Sequence, residues 1–382
     1  DLHNQLLTLI NLNYLDKANK VSKQILELNK ENQEAWIVRL TFAKINNIKS
    51  PFVNYQQISK KLNMEFLNFI FFNHNGDIKN KTKIAQSIFE IVVASISENN
   101  ENKNFKFLLF YLSIMNILNP NFDEGYYYKA KIYELSKNYS KAEFFYNQID
   151  INHNLFMESQ INNALNKRKQ GFFLEGEKSL KKLIKIYDNN KILLTSLADL
   201  YRLEKKYNKA IEFYTKSIKI NVKSIDIDWR LFYLRGICFE RSSNWEMAEK
   251  DFINSLKINP DSPEVLNYLA YGWLERNIKL NEATKMLKQA YKANPDSYYI
   301  ADSLAWAYYK KKEYKKAVNL MEKVIVMAPG EAISLFHLGD IYYAMNRKRE
   351  ASFFWKQALD LAEPEDLITK ELLEKLEMYN AG

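Results

Sequence analysis

Cysteine, histidine, glycine and proline are all scarce in these 382 residues. The one cysteine, Cys238, permits no internal disulfide and no cysteine-based metal site, and is expected to be a small buried apolar residue. The four histidines, His3, His74, His153 and His337, include no pair at a spacing that would put both on one helix face, so a zinc or di-iron centre is not expected. Nine glycines and seven prolines are far below the usual shares of roughly 7% and 5%. So little glycine predicts few tight turns and no phosphate-cradling loop, and there is no G-x-S-x-G elbow, Walker loop or dinucleotide fingerprint. The most apolar run, Phe107 to Leu118, is too short to span a bilayer and reads as a buried helix. These absences exclude the common enzyme classes, so no catalytic residue and no cofactor is expected.

What is abundant is apolar and aromatic: 47% and 14% of the residues, ample for a continuous core. The net charge is +9, which permits an anionic partner, but the lysines are spread through the chain and read as a solvated surface. The order in the chain is periodic. A small residue returns at Ala142, Gly176, Ala210, Ala248, Ala283, Ala317 and Ala351, with gaps of 34, 34, 38, 35, 34 and 34. A second set lies upstream within each unit: Leu197-Ala198 then Tyr201, Gly236 then Phe239, Leu269-Ala270 then Trp273, Leu304-Ala305 then Tyr308, and Leu338-Gly339 then Tyr342. Two helices that cross closely need small side chains at the crossing and large ones above and below it. Pro260, Pro295, Pro329 and Pro364 would stop the second helix of four units, and the Asp-Ser pairs after Pro260 and Pro295 would cap the next.

This pattern resembles the tetratricopeptide repeat. The resemblance implies an all-α fold: an α-solenoid of stacked helix-turn-helix hairpins in a right-handed superhelix. Residues 1–121 are expected to be divergent hairpins, 122–222 one array, 223–364 a second array with the best-formed repeats, and 365–382 a capping helix with Leu367, Leu372, Leu373 and Leu376 on one side. The stretch Lys223 to Trp229 reads as a longer connection, and Glu98 to Asn104 as a polar loop. Over roughly residues 260–362 the chain is also similar to a proteobacterial subgroup, often exported or lipid-anchored, that includes outer-membrane adaptors for a periplasmic protease. That implies a periplasmic or outer-membrane location and admits a lipid anchor in a precursor.

In such a stack the first helices line the inner wall, which places Glu264, Asn267, Tyr271, Tyr299, Asp302, Trp306, Tyr309, Phe336, Asp340 and Tyr343 toward a concave groove. Aromatic rings with a few placed polar groups are what a peptide-binding groove uses as anchors. One subtype of the family clamps a C-terminal carboxylate with lysines, an arginine and asparagines at inner-wall positions, and those cations are absent here: the corresponding positions of the best-formed units hold Thr195, Asp199, Tyr233, Ile237, Asp302 and Asp340. A partner presenting Lys, Arg or apolar side chains is therefore expected. The function expected is a non-catalytic scaffold or adaptor that binds a peptide segment or helix, with no small-molecule substrate. The competing readings are a targeting region of a larger enzyme, such as a glycosyltransferase or peptidase, and a nucleic-acid-binding solenoid, which the dispersed lysines disfavour.

Overall fold

Residues 1–48, 64–71, 79–97, 105–221, 228–362 and 367–381 are described by the computed structural model, and among them every regular element is an α-helix. The polar loop expected at 98–104, most of the connection at 223–229, and Pro364 lie outside the described residues. The chain divides into two compact units, Asp1–Ile186 and Tyr187–Gly382.

Unit 1 holds α1 (Leu2–Asn11), α2 (Leu15–Leu28), α3 (Gln33–Ile45), α4 (Met64–Phe71), α5 (Lys81–Ser97), α6 (Phe105–Leu118), α7 (Asp123–Leu135), α8 (Tyr139–Tyr146), α9 (Phe156–Lys169) and α10 (Phe173–Ile186). Most neighbours in sequence are neighbours in space, but α1 also packs directly on α6. There Ser113 Oγ donates to Asn11 Oδ1 at 3.0 Å. The first third therefore does not stack in chain order alone. The apolar run read as a buried helix is α6, with Leu108, Phe110, Tyr111, Leu112, Ile114 and Met115 inside the core.

Unit 2 holds five hairpins in strict succession: α11 (Lys191–Leu203) with α12 (Tyr207–Asn221), α13 (Trp229–Arg241) with α14 (Trp245–Ile258), α15 (Pro263–Glu275) with α16 (Leu280–Ala293), α17 (Tyr298–Lys310) with α18 (Tyr314–Met327), and α19 (Ala332–Ala344) with α20 (Lys348–Leu361). A last helix, α21 (Leu367–Ala381), packs on α20 and buries Leu372 and Leu376.

The periodic small residues are the crossing points. Ala142, Ala210, Ala248, Ala283, Ala317 and Ala351 are completely buried, as are the first-helix residues Ala130, Ala164, Ala198, Ala270 and Ala305. At Gly176 a Cβ would lie 2.5 Å from the Ala164 carbonyl oxygen, so α9 and α10 meet backbone to backbone. At Gly339 a Cβ would collide with the Trp355 indole, which fills the space that the missing side chain leaves.

Two sequence expectations are corrected. Tight turns are not few: among the described residues the position after a first-helix cap is left-handed at Lys137 (φ 56°), Lys205 (56°), Ser243 (60°), Asn277 (52°), Lys312 (60°) and Asn346 (59°), and Gly171 is the one glycine so used. The following amide then donates back to the carbonyl of the first-helix aromatic, as from Lys206 to Tyr201 and from Arg347 to Tyr342, both at 2.9 Å. This closes the helix end as a Schellman turn does, and Asn, Lys and Ser carry it at a modest conformational cost. The second correction concerns caps. Ser262 and Ser297 occupy the N-cap positions expected of them, yet neither side chain accepts a backbone amide. Ser262 Oγ donates instead to Glu264 Oε2 at 2.9 Å.

The leucine of the Leu-small pair is replaced in three units, by Lys129, Asn163 and Arg235. Arg235 is neutralised: Nε and Nη2 donate to the two oxygens of Asp251, each at 2.7 Å, and Nη1 donates to Thr215 Oγ1 at 2.9 Å. Asp251 lies three residues after Ala248, on the facing turn of α14.

Candidate functional site

Within unit 2, successive first helices touch one another directly, α15 against α17 and α17 against α19, whereas successive second helices meet at most marginally. A stack that is closer on one side than the other bends toward the closer side. The first helices of these three hairpins therefore lie on the closer side, and the ten expected site residues all stand on them.

Their exposures divide. Tyr299 and Tyr343 are exposed, at 41% and 49%, and Glu264, Tyr271 and Tyr309 are half-buried. Asn267, Asp302, Trp306, Phe336 and Asp340 are buried, each below 9% exposure, so the expectation that these five present open side chains to a groove does not hold. The polar groups of Asp302, Trp306 and Asp340 are engaged within the unit, whereas Asn267 Oδ1 is buried without a hydrogen-bond partner among the described residues. Asp340 Oδ1 accepts the Trp355 indole N–H at 2.9 Å, and its Oδ2 accepts from Lys375 Nζ at 3.0 Å. The same register recurs in the first hairpin of the unit, where Asp199 Oδ1 accepts the Tyr214 hydroxyl at 2.6 Å. Tyr214 and Trp355 are each four residues after the second-helix alanine. A carboxylate at this first-helix position thus satisfies a buried donor that would be costly to leave unpaired.

Asp302 has a different partner, one repeat further on. His337 Nδ1 lies 3.0 Å from Asp302 Oδ2, with both side chains buried. The His337 ring stacks on Trp306, centroids 4.0 Å apart and planes at 17°, and Trp306 stacks in turn on Tyr309 at 4.5 Å and 14°. The Trp306 indole N–H donates to Glu275 Oε1 at 2.8 Å. The result is a three-ring ledge, Tyr309 on Trp306 on His337, held at its base by Asp302 and at its side by Glu275. Of its members the sequence pointed to Asp302, Trp306 and Tyr309. It missed His337 and Glu275, because both contacts join residues one repeat apart, 35 and 31 positions along the chain. Aligning each unit on the next shows them: a histidine stands one position before the Leu-small pair of the following unit.

The charges on this wall are set by burial and by neighbours. Burial alone would push the His337 pKa down. The charge and hydrogen bond of Asp302, with Glu275 and Asp340 behind it, outweigh that and hold it above the ordinary imidazole value. Burial, against the pull of Lys375, raises the Asp340 carboxyl above the usual carboxylate range. Burial and the neighbouring acids push the Tyr271 phenol far up and Tyr309 up to about 12, so both rings are neutral. Elsewhere in the unit, Cys238 is completely buried, and burial pushes its thiol up to about 12.

The His337 shift fixes the sign of a pH effect. A folded-state pKa above the unfolded value contributes stability that is complete below the unfolded pKa of about 6.5 and is lost as pH rises through the folded value. The urea midpoint of unit 2 is expected to be lower at pH 9 than at pH 6. His337→Gln, which can still hydrogen-bond Asp302 but does not titrate, is expected to reduce that difference, leaving the part that the buried Cys238 thiol contributes as pH nears 9.

Among the described residues no cluster of His, Cys, Asp and Glu has the makings of a metal site, and no helix is long and apolar enough to cross a membrane. Two family profiles, both described as tetratricopeptide repeat, match the chain, one at residues 193–221 and 332–364 and the other at 274–332. The chain carries tetratricopeptide repeats. A tetratricopeptide repeat-containing protein of Pseudomonas aeruginosa is 24% identical over 125 residues, 33% of this chain and 21% of that protein. Another, from Methanocaldococcus jannaschii, is 26% identical over 326 residues, 72% of this chain and 49% of that protein. The chain thus spans half or less of the length of these relatives. Among solved structures, a tetratricopeptide repeat protein from Parabacteroides merdae superposes with a TM-score of 0.51 at 20% identity, covering 68% of this chain and 98% of that one. The Cut9–Hcn1 hetero-tetramer of the APC/C matches with a TM-score of 0.53 at 15% identity, covering 96% of this chain and 74% of that one. These likenesses show the fold of stacked tetratricopeptide hairpins.

Proposed function

We propose that the chain is a non-catalytic scaffold whose second unit holds a segment of another polypeptide against the first helices of its last three hairpins. The observation that carries this reading is the contrast along one wall. Tyr299 and Tyr343 stand exposed, Tyr271 and Tyr309 are half-exposed, and Tyr309 is backed by the stacked Trp306 and His337. Rings held rigidly at a surface lose little entropy when a partner covers them, which is why aromatic anchors dominate peptide recognition. Glu275 is exposed beside them and Glu264 half-exposed, so the segment is expected to bring apolar side chains with an interspersed Lys or Arg. The similarity of residues 260–362 to the exported proteobacterial subgroup supports a narrower reading, an adaptor at the cell envelope that presents substrates to a protease.

The test uses the exposed rings. Tyr299→Ala with Tyr343→Ala is expected to change stability by no more than about 0.5 kcal/mol per substitution, as surface changes do. It is also expected to weaken capture of the native partner, recovered by affinity purification and identified by mass spectrometry, at least tenfold. A matched pair of substitutions at exposed residues of α16 and α18 serves as control. Capture unchanged by the tyrosine pair, or lost equally in the control, overturns the reading.

A further inference from the structure

Lys129 is 6% exposed, at the first-helix position where four hairpins of unit 2 carry the leucine of the Leu-small pair. Within this one chain Arg235 provides an internal control. Both are cations at the same register of the repeat. Arg235 has Asp251 opposite it, three residues after the second-helix alanine. Opposite Lys129 the equivalent residue, three after Ala142, is Phe145, whose ring centroid lies 5.1 Å from Nζ. In the units that keep the leucine this facing position is also apolar, at Phe213, Met286, Leu320 and Phe354. The Arg235 unit therefore changed both partners together, and the Lys129 unit changed one. Among the described residues no carboxylate or other hydrogen-bonding group meets Lys129 Nζ; the Tyr126 ring, at 5.9 Å, is its other neighbour.

A lone buried ammonium is costly, so the site must offer something else. It offers space. Lys129 lines a cavity of about 690 Å³ bounded by α1, α6, α7 and α8, within the usual size range of small-ligand sites. The walls are aromatic, with Tyr126, Tyr133, Phe144 and Phe145, and Phe144 and Leu12 are exposed at the lining, at 59% and 58%. The charged residues of the lining are Lys129 and Lys141, and no acid stands among them. Asn116 Oδ1, buried on the same lining, lacks a donor.

We propose that this cavity binds a small organic acid, a single carboxylate on an acyl or aryl body, whose carboxylate sits beside Lys129 as Asp251 sits beside Arg235. The rings of α7 and α8 enclose the apolar body. The proposal is independent of the polypeptide-binding wall in unit 2, and it departs from the expectation that no small molecule is bound. Protonation fits the chemistry. Burial lowers the Lys129 pKa to about 7, and an anion set beside Nζ raises it again, so binding near pH 8 takes up a proton. The other titratable groups of the lining are Lys141 on α8 and Tyr126 and Tyr133 on α7, and α1 and α6 contribute none.

The test is calorimetry on the full chain with octanoate and 4-phenylbutyrate, each paired with its alcohol, octanol and 4-phenylbutanol. Both acids are expected to bind at pH 7 at least tenfold more tightly than their alcohols, and more weakly as pH rises to 9. Lys129→Leu, which restores the residue of the other repeats, is expected to keep the helical circular dichroism and to melt at or above the wild-type temperature. It is expected to lose the preference for acid over alcohol, and Phe145→Asp, which supplies the carboxylate internally, to lose it as well. No binding of either acid to the wild type, or a preference that survives in a folded Lys129→Leu, overturns the proposal. So does binding confined to a peptide with a free C-terminal carboxylate while both small acids fail, since the occupant would then be a polypeptide end.

Discussion

Asp251→Ala is expected to destabilise unit 2 by about 3–5 kcal/mol, read as a fall in the urea midpoint followed by circular dichroism at constant ionic strength. The Arg235 side chain is only 13% exposed and the Asp251 side chain 2%, so removing the carboxylate leaves a guanidinium buried with Thr215 as its one hydrogen-bond partner among the described residues, beside the Phe232 and Phe239 rings. The charge cannot escape by deprotonation, because a guanidinium stays protonated at any accessible pH. The pair itself is not expected to be worth that much. Replacing both residues by leucine, the pairing that intact repeats approximate, is expected to be neutral or stabilising, because two charges no longer have to be desolvated. A large loss in the single variant with little or no loss in the double variant separates the cost of an orphaned charge from the value of the bridge. Equal losses in both would mean that the site cannot repack.

Trp306→Ala is expected to cost about 3–5 kcal/mol, as truncation of a large buried aromatic usually does. The indole is 6% exposed, its N–H is spent on Glu275, and its two faces carry His337 and Tyr309, so the change opens a cavity and removes the centre of the ledge. Trp306→Phe, which keeps a ring between its neighbours and loses the hydrogen bond, is expected to cost about 1 kcal/mol from that bond, with a further packing loss from the smaller ring. The measurement is again the urea midpoint followed by circular dichroism. The consequence for function is practical. A partner lost on Trp306→Ala could reflect a wall that no longer holds its shape, so the exposed tyrosines and not this tryptophan test the groove.

Spacing carried the fold because the constraint is local and repeated: a helix crossing admits only a small side chain, so Ala142, Ala248 or Ala317 reports its own environment. Residues 1–121 resisted the same reading because part of their packing is not between consecutive helices. The contact of Ser113 with Asn11 joins positions 102 apart, and no 34-residue rhythm announces it. The site was legible in part for a related reason. Helical period shows which face of α17 Trp306 lies on. Whether that face is open depends on what the next repeat brings, here the His337 ring. Asp302 and Asp340 read as groups awaiting a basic partner, and proved to be acceptors for His337, Trp355 and Lys375, which stand on other helices. The Lys129 cavity left a trace that could be read only by comparison between units: an unanswered change from leucine at one position of the repeat.

The left-handed residues between paired helices bear on how such a chain tolerates drift in its composition. Where glycine alone could make the bend, each hairpin would depend on one irreplaceable position, and a bias in mutational supply toward lysine and asparagine would erode the array. Here those same two residues make most of the bends, at Lys137, Lys205, Lys312, Asn277 and Asn346. A non-glycine residue there gives up some native-state comfort, but the denatured chain also has fewer conformations to lose, and the two effects act in opposite directions. The bends therefore do not hang on glycine, and the repeats can diverge widely at the connections while the helix crossings stay fixed.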